Sequence, residues 1–246
     1  MYPALLLAGL VGLWQVAADS GFLADVFGVE SYLVPSPSEI ASALWESRSL
    51  LLENAWVTLR EIVLGFLCAL VVGLGFAVLM HLFEPVRLAS YPLAIASQTI
   101  PIVAIAPVLL VWFGFGIGPK LLIVALICFF PITVNALDGL RTTDPGAVTM
   151  MRTLDASRWQ IFRRVEIPGA LPQTFTGAKI AAAVTAIAAV FAEWSGSGSG
   201  LGHLILNDNA SFQTARVFAS IFLLSVIALA LFGLVALLER RVVTWR

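Results

Sequence analysis

Charge is what this sequence has least of. Only 12% of its 246 residues are Asp, Glu, Lys or Arg, against roughly 25% in an average soluble domain. Hydrophobic residues make up 60% and the mean hydropathy is +0.97. So little charge cannot cover a water-exposed globule, which excludes an ordinary soluble enzyme. So many apolar residues exclude a disordered chain. Neither sign of charge dominates, with 14 Lys+Arg against 15 Asp+Glu and a net charge of −1. No basic surplus therefore points to nucleic acid. Cysteine is almost absent. Cys68 and Cys128 both lie in apolar runs and read as core filler rather than a disulfide or a metal pair. No Gly-x-x-x-x-Gly-Lys-Ser/Thr occurs, so the chain cannot cradle ATP phosphates in the P-loop manner. A basic flank is also missing before the apolar stretch from Tyr2 to Ala18, which predicts a retained membrane helix rather than a cleaved signal peptide.

What is present is a series of long apolar runs. Stretches free of Asp, Glu, Lys and Arg cover 1–18, 62–83, 88–119, 121–137, 180–192 and 217–238. A membrane span takes about 20 such residues. The run 180–192 reaches that length if Lys179 snorkels to one interface and Glu193 marks the other end. The run 88–119 is too long for one straight span and holds Pro92, Pro101, Pro107 and Gly114. It predicts an approach segment over 88–94 and a span over about 95–113. The chain thus reads as an all-α integral membrane protein, one membrane domain over 1–246 with about six transmembrane helices.

Basic residues set the orientation. If the spans alternate, Arg87, Arg141, Arg152, Arg158, Arg163, Arg164, Arg240, Arg241 and Arg246 fall on one side. Arg48, Arg60, Lys120 and Arg216 fall on the other. The richer side is cytoplasmic, which predicts both termini inside, 19–55 outside and 138–172 inside. Trp56, Trp112 and Trp194 then lie near outer interfaces. Ala69, Gly73 and Ala77 share one helix face, as do Gly177, Ala181, Thr185 and Ala189. Such small-residue stripes predict close helix packing, or faces that line a pathway between moving subunits. In the external segment, Ser38 is expected to cap a short amphipathic helix carrying Ile40, Ala43 and Leu44 on one face.

The segment 138–172 concentrates charge: Asp138, Arg141, Asp144, Arg152, Asp155, Arg158, Arg163, Arg164 and Glu166. Asp144-Pro145 predicts a helix start running to about Leu154. Asp155-Ala156-Ser157 breaks it. Ser157 with Gln160 has the spacing of a capping box, so a second helix follows and is expected to end before Pro168. Connections between packed helices usually run about two to eight residues. A charged helix–turn–helix of this length predicts a docking surface.

At these residues the sequence resembles the permease subunits of bacterial ATP-binding-cassette importers, the binding-protein-dependent transport family. Their cytoplasmic loop carries Glu-Ala-Ala, three residues, Gly, then Ile-x-Leu-Pro about nine residues on. Here Thr149-Met150-Met151 stands in place of Glu-Ala-Ala, Asp155 in place of Gly, and Val165-Glu166-Ile167-Pro168 in place of the closing motif. Asp is among the few residues besides Gly that visit the left-handed conformation the turn needs. The resemblance extends from about Tyr32 to the end of the chain. It includes Ile100-Pro101 through Pro107-Val108-Leu109, Trp112 to Gly116, Glu193-Trp194, Gly200 to Ile205 and Leu238 to Arg241. The pattern is similar to the nitrate, sulfonate, taurine and thiamine-precursor branch, and leans toward pyrimidine or riboflavin-like substrates.

The resemblance implies the type I importer permease fold with a cytoplasmic coupling loop, and a chain that is not itself an enzyme or a cofactor binder. ATP and Mg would be bound by a separate ATPase. A second permease copy, making a homodimer, and an extracytoplasmic binding protein would complete the unit in the bacterial inner membrane. Arg152, Asp155, Ala156, Ser157, Arg158, Trp159, Ile161, Phe162, Arg163, Arg164, Ile167 and Pro168 would form the ATPase-coupling loop. Trp159, Ile161 and Phe162 would be its apolar anchor, and Arg158, Arg163 and Arg164 its polar rim.

Polar groups inside the spans are the pathway candidates: Gln98, Thr99, Thr133, Asn135, Thr185 and Glu193. Interhelical hydrogen bonding is the competing role for each. Two other classes compete with a permease. An intramembrane serine hydrolase would use Ser195 to Ser199 with His203, but the Gly-x-Ser-x-Gly spacing is absent. An ion-coupled secondary transporter would want paired acids deep in the membrane, and only the boundary carboxylates Glu61 and Glu193 offer themselves.

Overall fold

The computed structural model describes residues 2–245, with side chains from Leu5 to Trp245. Arg246, one of the basic residues used above for orientation, lies outside the described residues. The described residues form helices joined by short turns: α1 (Tyr2–Asp19), α2 (Phe22–Phe27), a 3₁₀ turn (Ser31–Leu33), α3 (Pro37–Glu46), α4 (Arg48–Leu82), α5 (Glu84–Ser97), α6 (Ile102–Phe113), α7 (Ile117–Arg141), α8 (Pro145–Thr153), α9 (Arg158–Ile161), a π turn (Phe162–Glu166), α10 (Ile167–Trp194), α11 (Leu201–Ala210) and α12 (Thr214–Val242).

Among the described residues, four helical stretches are long and apolar enough to cross a membrane: Arg48–Leu82, Ile117–Arg141, Arg158–Trp194 and Thr214–Val242. Helices α5 and α6 meet the same test as a pair bent by 102°, which makes a fifth, while Leu5–Asp19 of α1 is apolar but shorter. The segment expected as an approach over 88–94 is instead part of α5, a full helix that begins at Glu84. Pro92 sits inside α5 and Pro107 inside α6, and the break falls between Ser97 and Ile102.

The chain divides into two compact units. The first combines Met1–Leu59 with Ser197–Val226. Here α3 starts from Ser36, not Ser38. The Ser36 hydroxyl accepts from the Glu39 amide, the Glu39 carboxylate accepts from the Ser36 amide, and Pro37 takes the first helical position. Ser38 instead meets Gln15 of α1, whose amide donates to the Ser38 hydroxyl at 2.9 Å. The start of α11 has no local cap. Its first amides donate across to α4, Gly200 to Asn54 Oδ1 at 2.7 Å and Leu201 to Thr58 Oγ1 at 2.8 Å.

The second unit combines Arg60–Gly196 with Ile227–Arg246. Its core joins Ile62, Phe66 and Ala69 of α4, Val124, Cys128 and Ile132 of α7, a run of alanines on α10 and Val235 of α12. The small-residue stripes serve this packing. Gly177 lies so close to α7 that an added Cβ would stand 2.4 Å from the Pro131 carbonyl oxygen. Ala69, Ala77, Ala181, Thr185 and Ala189 are buried. Cys128 is core filler as expected, whereas Cys68 is exposed.

Candidate functional site: a helix–turn–helix loop and the polar groups of the spans

Local chemistry builds the loop. The Asp144 carboxylate accepts from the Gly146 amide at 2.8 Å, and Pro145 opens α8. The chain turns at Asp155, whose φ of 54° is left-handed, the conformation asked of the position where Gly is usual. The Ser157 hydroxyl then accepts from the Gln160 amide, and the Gln160 side chain accepts from the Ser157 amide. Both caps and the turn agree with the sequence expectation.

The end of the loop does not. Helix α9 does not stop before Pro168. It widens into the π turn and continues as α10, with Pro168 in the first turn and Pro172 inside. A proline ring clashes with the carbonyl four residues back and supplies no amide. A π turn adds a residue to the coil just there, so the helix passes the proline instead of ending.

Burial divides the expected anchor. Trp159 is 63% exposed, but Ile161 and Phe162 are 2% and 4% exposed. Phe162 packs with Leu140 and Ala170 and lies against the His81 ring, with centroids 6.0 Å apart. Phe162 thus holds the loop to the spans, and neither buried side chain is available to a partner. The outward apolar surface consists of Met150 and Leu154, 59% and 70% exposed, together with Trp159. Sequence reasoning passed over Met150 and Leu154, although an apolar side chain on a short charged helix was a signal. Arg152, Arg163, Arg164 and Ile167 are exposed, and Ala156 and Pro168 are half-buried.

Arg158 faces inward as well as out. Its guanidinium donates to Glu166 Oε1 at 2.7 Å, and His81 Nε2 of α4 lies 2.8 Å from Glu166 Oε2. One nearly buried carboxylate thus joins the loop to the end of α4. A cavity of ≈ 530 Å³ opens beside it, lined by His81, Arg87, Arg141, Arg152 and the face of α8.

The pathway candidates separate by place. Thr185 is fully buried and its hydroxyl donates to the Ala182 carbonyl. Asn135 donates to the Pro131 carbonyl at 2.7 Å, and Thr133 is fully buried against the Gly73 backbone. Thr99 is exposed and donates to the Ala96 carbonyl. Glu193 is fully buried beside Glu61, itself 1% exposed. Lys120 of α7 donates to Glu61 Oε1 at 2.7 Å. Glu61 and Lys120 were unremarkable boundary charges in the sequence. Gln98 lines a cavity at the α5–α6 break. Elsewhere on α10, Lys179 pairs with Glu239 of α12 at 2.6 Å.

Comparison with known proteins agrees with this architecture. The formylaminopyrimidine transport permease protein ThiX of Halalkalibacterium halodurans is 36% identical, over 99% of this chain and 95% of its own length. The riboflavin transport system permease protein RibX of Chloroflexus aurantiacus is 35% identical, over 96% and 87%. Among solved structures, an inward-facing MetNI methionine ABC transporter chain superposes with a TM-score of 0.68 at 19% identity, covering 80% of this chain and 98% of that one. That likeness fixes the fold as the type I importer permease fold. Residues 62–244 match the family described as the binding-protein-dependent transport system inner membrane component. With the bent span, the packed small-residue stripes and the loop between α7 and α10 all falling inside that match, the chain belongs to this family and is an ABC transporter permease subunit, a non-catalytic multi-pass membrane protein.

Proposed function

We propose that this chain forms half of the translocation pathway of an ATP-driven importer of the bacterial inner membrane. It works as a homodimer with two ATPase subunits and an extracytoplasmic binding protein, both its termini and the 144–166 loop being cytoplasmic. ATP and Mg are held by the ATPase. The substrate is a small molecule delivered by the binding protein. A thiamine-precursor pyrimidine or riboflavin-like heterocycle is favoured over a sulfonate or nitrate, because ThiX and RibX are named for such substrates.

The observation that carries the reading is the shape of the loop. Two capped helices meet at the left-handed Asp155 and turn Met150, Leu154 and Trp159 outward. An exposed aromatic flanked by aliphatic side chains and rimmed by Arg152, Arg163 and Arg164 suits a groove on a partner. Closure of the ATPase pair on ATP would move that groove. The loop would follow, and Glu166, gripped by both Arg158 and His81, would carry the displacement to α4.

The test uses the assembled complex. Trp159→Asp and Met150→Asp change exposed side chains and leave the core intact. Each is expected to weaken ATPase association by about 2 kcal/mol or more, the worth of an interface hot spot. Pull-down of the ATPase with the tagged permease measures it, and an undiminished complex in both variants removes the docking surface.

A further inference from the structure

The break between α5 and α6 has no assigned role. Two helices bent by 102° leave residues 98–101 outside regular helix within an otherwise apolar pair. Non-helical backbone at membrane depth persists only where protein or a water-filled cavity meets its polar groups. Local side chains meet part of the demand. The Ser97 and Thr99 hydroxyls donate to the Ala94 and Ala96 carbonyls, both at 2.7 Å. The first turn of α6 has no side-chain cap. The rest of the break borders a cavity of ≈ 370 Å³, which Ser97, Gln98, Ile100 and Ile102 help to line. Ligand pockets begin at about 300 Å³.

The lining has a definite chemistry. Phe76 of α4 and Phe129 of α7 form one wall, with ring centroids 5.7 Å apart and planes at 46°. Ser90 and Gln98 offer a hydroxyl and a carboxamide, the Ser97 hydroxyl is engaged by the Ala94 carbonyl, and aliphatic side chains fill the remainder. Among the described residues, no Lys, Arg, His, Asp or Glu lines it. A buried anion needs a charged or multiply donating partner. The two lysines of the long spans are committed elsewhere, Lys120 to Glu61 and Lys179 to Glu239. Aromatic faces beside one amide that both donates and accepts instead suit a flat ring with nitrogen and carbonyl or amino groups on its edge.

We propose that this cavity is a transport subsite and that its occupant is an uncharged aromatic nitrogen heterocycle, stacked on Phe76 and Phe129 with its polar edge on Gln98. The inference rests on the permease reading and narrows it, because a sulfonate or nitrate ion has no partner there.

The experiment uses the full transporter, permease with ATPase and binding protein, reconstituted in liposomes. ATP-driven uptake of 4-aminopyrimidine and riboflavin is compared with uptake of taurine and nitrate. At least one heterocycle is expected to enter and neither anion. Gln98→Leu, at an exposed position, is expected to raise KM about tenfold, the worth of a lost hydrogen bond in a ligand site. Gln98→Asn is expected to restore part of it. Phe129→Leu keeps an apolar wall without the ring and is expected to weaken uptake severalfold. Uptake of an anion, uptake of none of the four, or heterocycle uptake unchanged in both variants overturns the subsite. A permease that neither binds the ATPase nor supports any ATP-driven uptake overturns the permease reading instead. A complex that hydrolyses ATP and imports taurine with Gln98→Leu unaffected leaves that reading standing and removes only this inference.

Discussion

Glu61, Lys120 and Glu193 place three ionisable side chains where water is scarce, all at most 9% exposed. Taking an ion out of water costs several kcal/mol, and only a close partner offsets it. Glu61 and Lys120 supply that partner to each other at 2.7 Å, tying α4 to the first turn of α7. Glu193 stands beside them in the last turn of α10. Glu61→Ala removes the buried carboxylate that Lys120 donates to and is expected to lower stability by about 3–5 kcal/mol. The double variant Glu61→Met with Lys120→Met removes both charges at similar volume and is expected to recover most of that loss. Thermal unfolding in detergent, followed by tryptophan fluorescence, measures both. Equal losses in the two proteins would deny the pair its role. Glu193 was legible in the sequence as a functional candidate because an acid in an apolar run is conspicuous. Its neighbours were not, because Lys120 lies 59 positions from Glu61 and helix packing alone joins them.

At the scale of elements, signals acting over a few residues held up in the loop, whereas the cap expected at Ser38 falls at Ser36. The caps at Asp144 and Ser157 and the left-handed Asp155 stand where side-chain chemistry predicts them. The failures occurred where a neighbour intervened. Pro168 predicts a helix end, yet the π turn carries the coil past it. Ile161 and Phe162 look like an exposed anchor, yet both are buried, Phe162 against Leu140 and the His81 ring. The same turn places Glu166 between the loop and α4. Glu166→Ala leaves Arg158 and His81 without their acceptor. Under the proposed function, ATP hydrolysis by the assembled complex persists while substrate moved per ATP falls severalfold, and protease cleavage within 145–161 increases. Transport per ATP and cleavage both unchanged would show that the clamp transmits nothing. Glu166→Gln, which can still accept from Arg158, is expected to fall between.

For the whole molecule, the membrane class follows from composition, while orientation rests on where the arginines cluster. Ser157→Cys, placed in a variant whose Cys68 and Cys128 are replaced by Ala, is expected to react with a membrane-impermeant maleimide only after cells are permeabilised. Labelling of intact cells would invert the topology. By itself the sequence determined that the chain is a multi-helix membrane protein, roughly where its spans run, and where the loop between α7 and α10 starts and turns. Hydropathy and capping act between residues a few positions apart, so they can be read along the chain. Only the tertiary structure decided that α5 and α6 bend around a cavity, which loop side chains face outward, and which charges are paired. Glu61–Lys120, His81–Glu166 and Lys179–Glu239 span 59, 85 and 60 positions. Such pairings exist only once small residues such as Gly177 let the helices approach closely enough to bring them together.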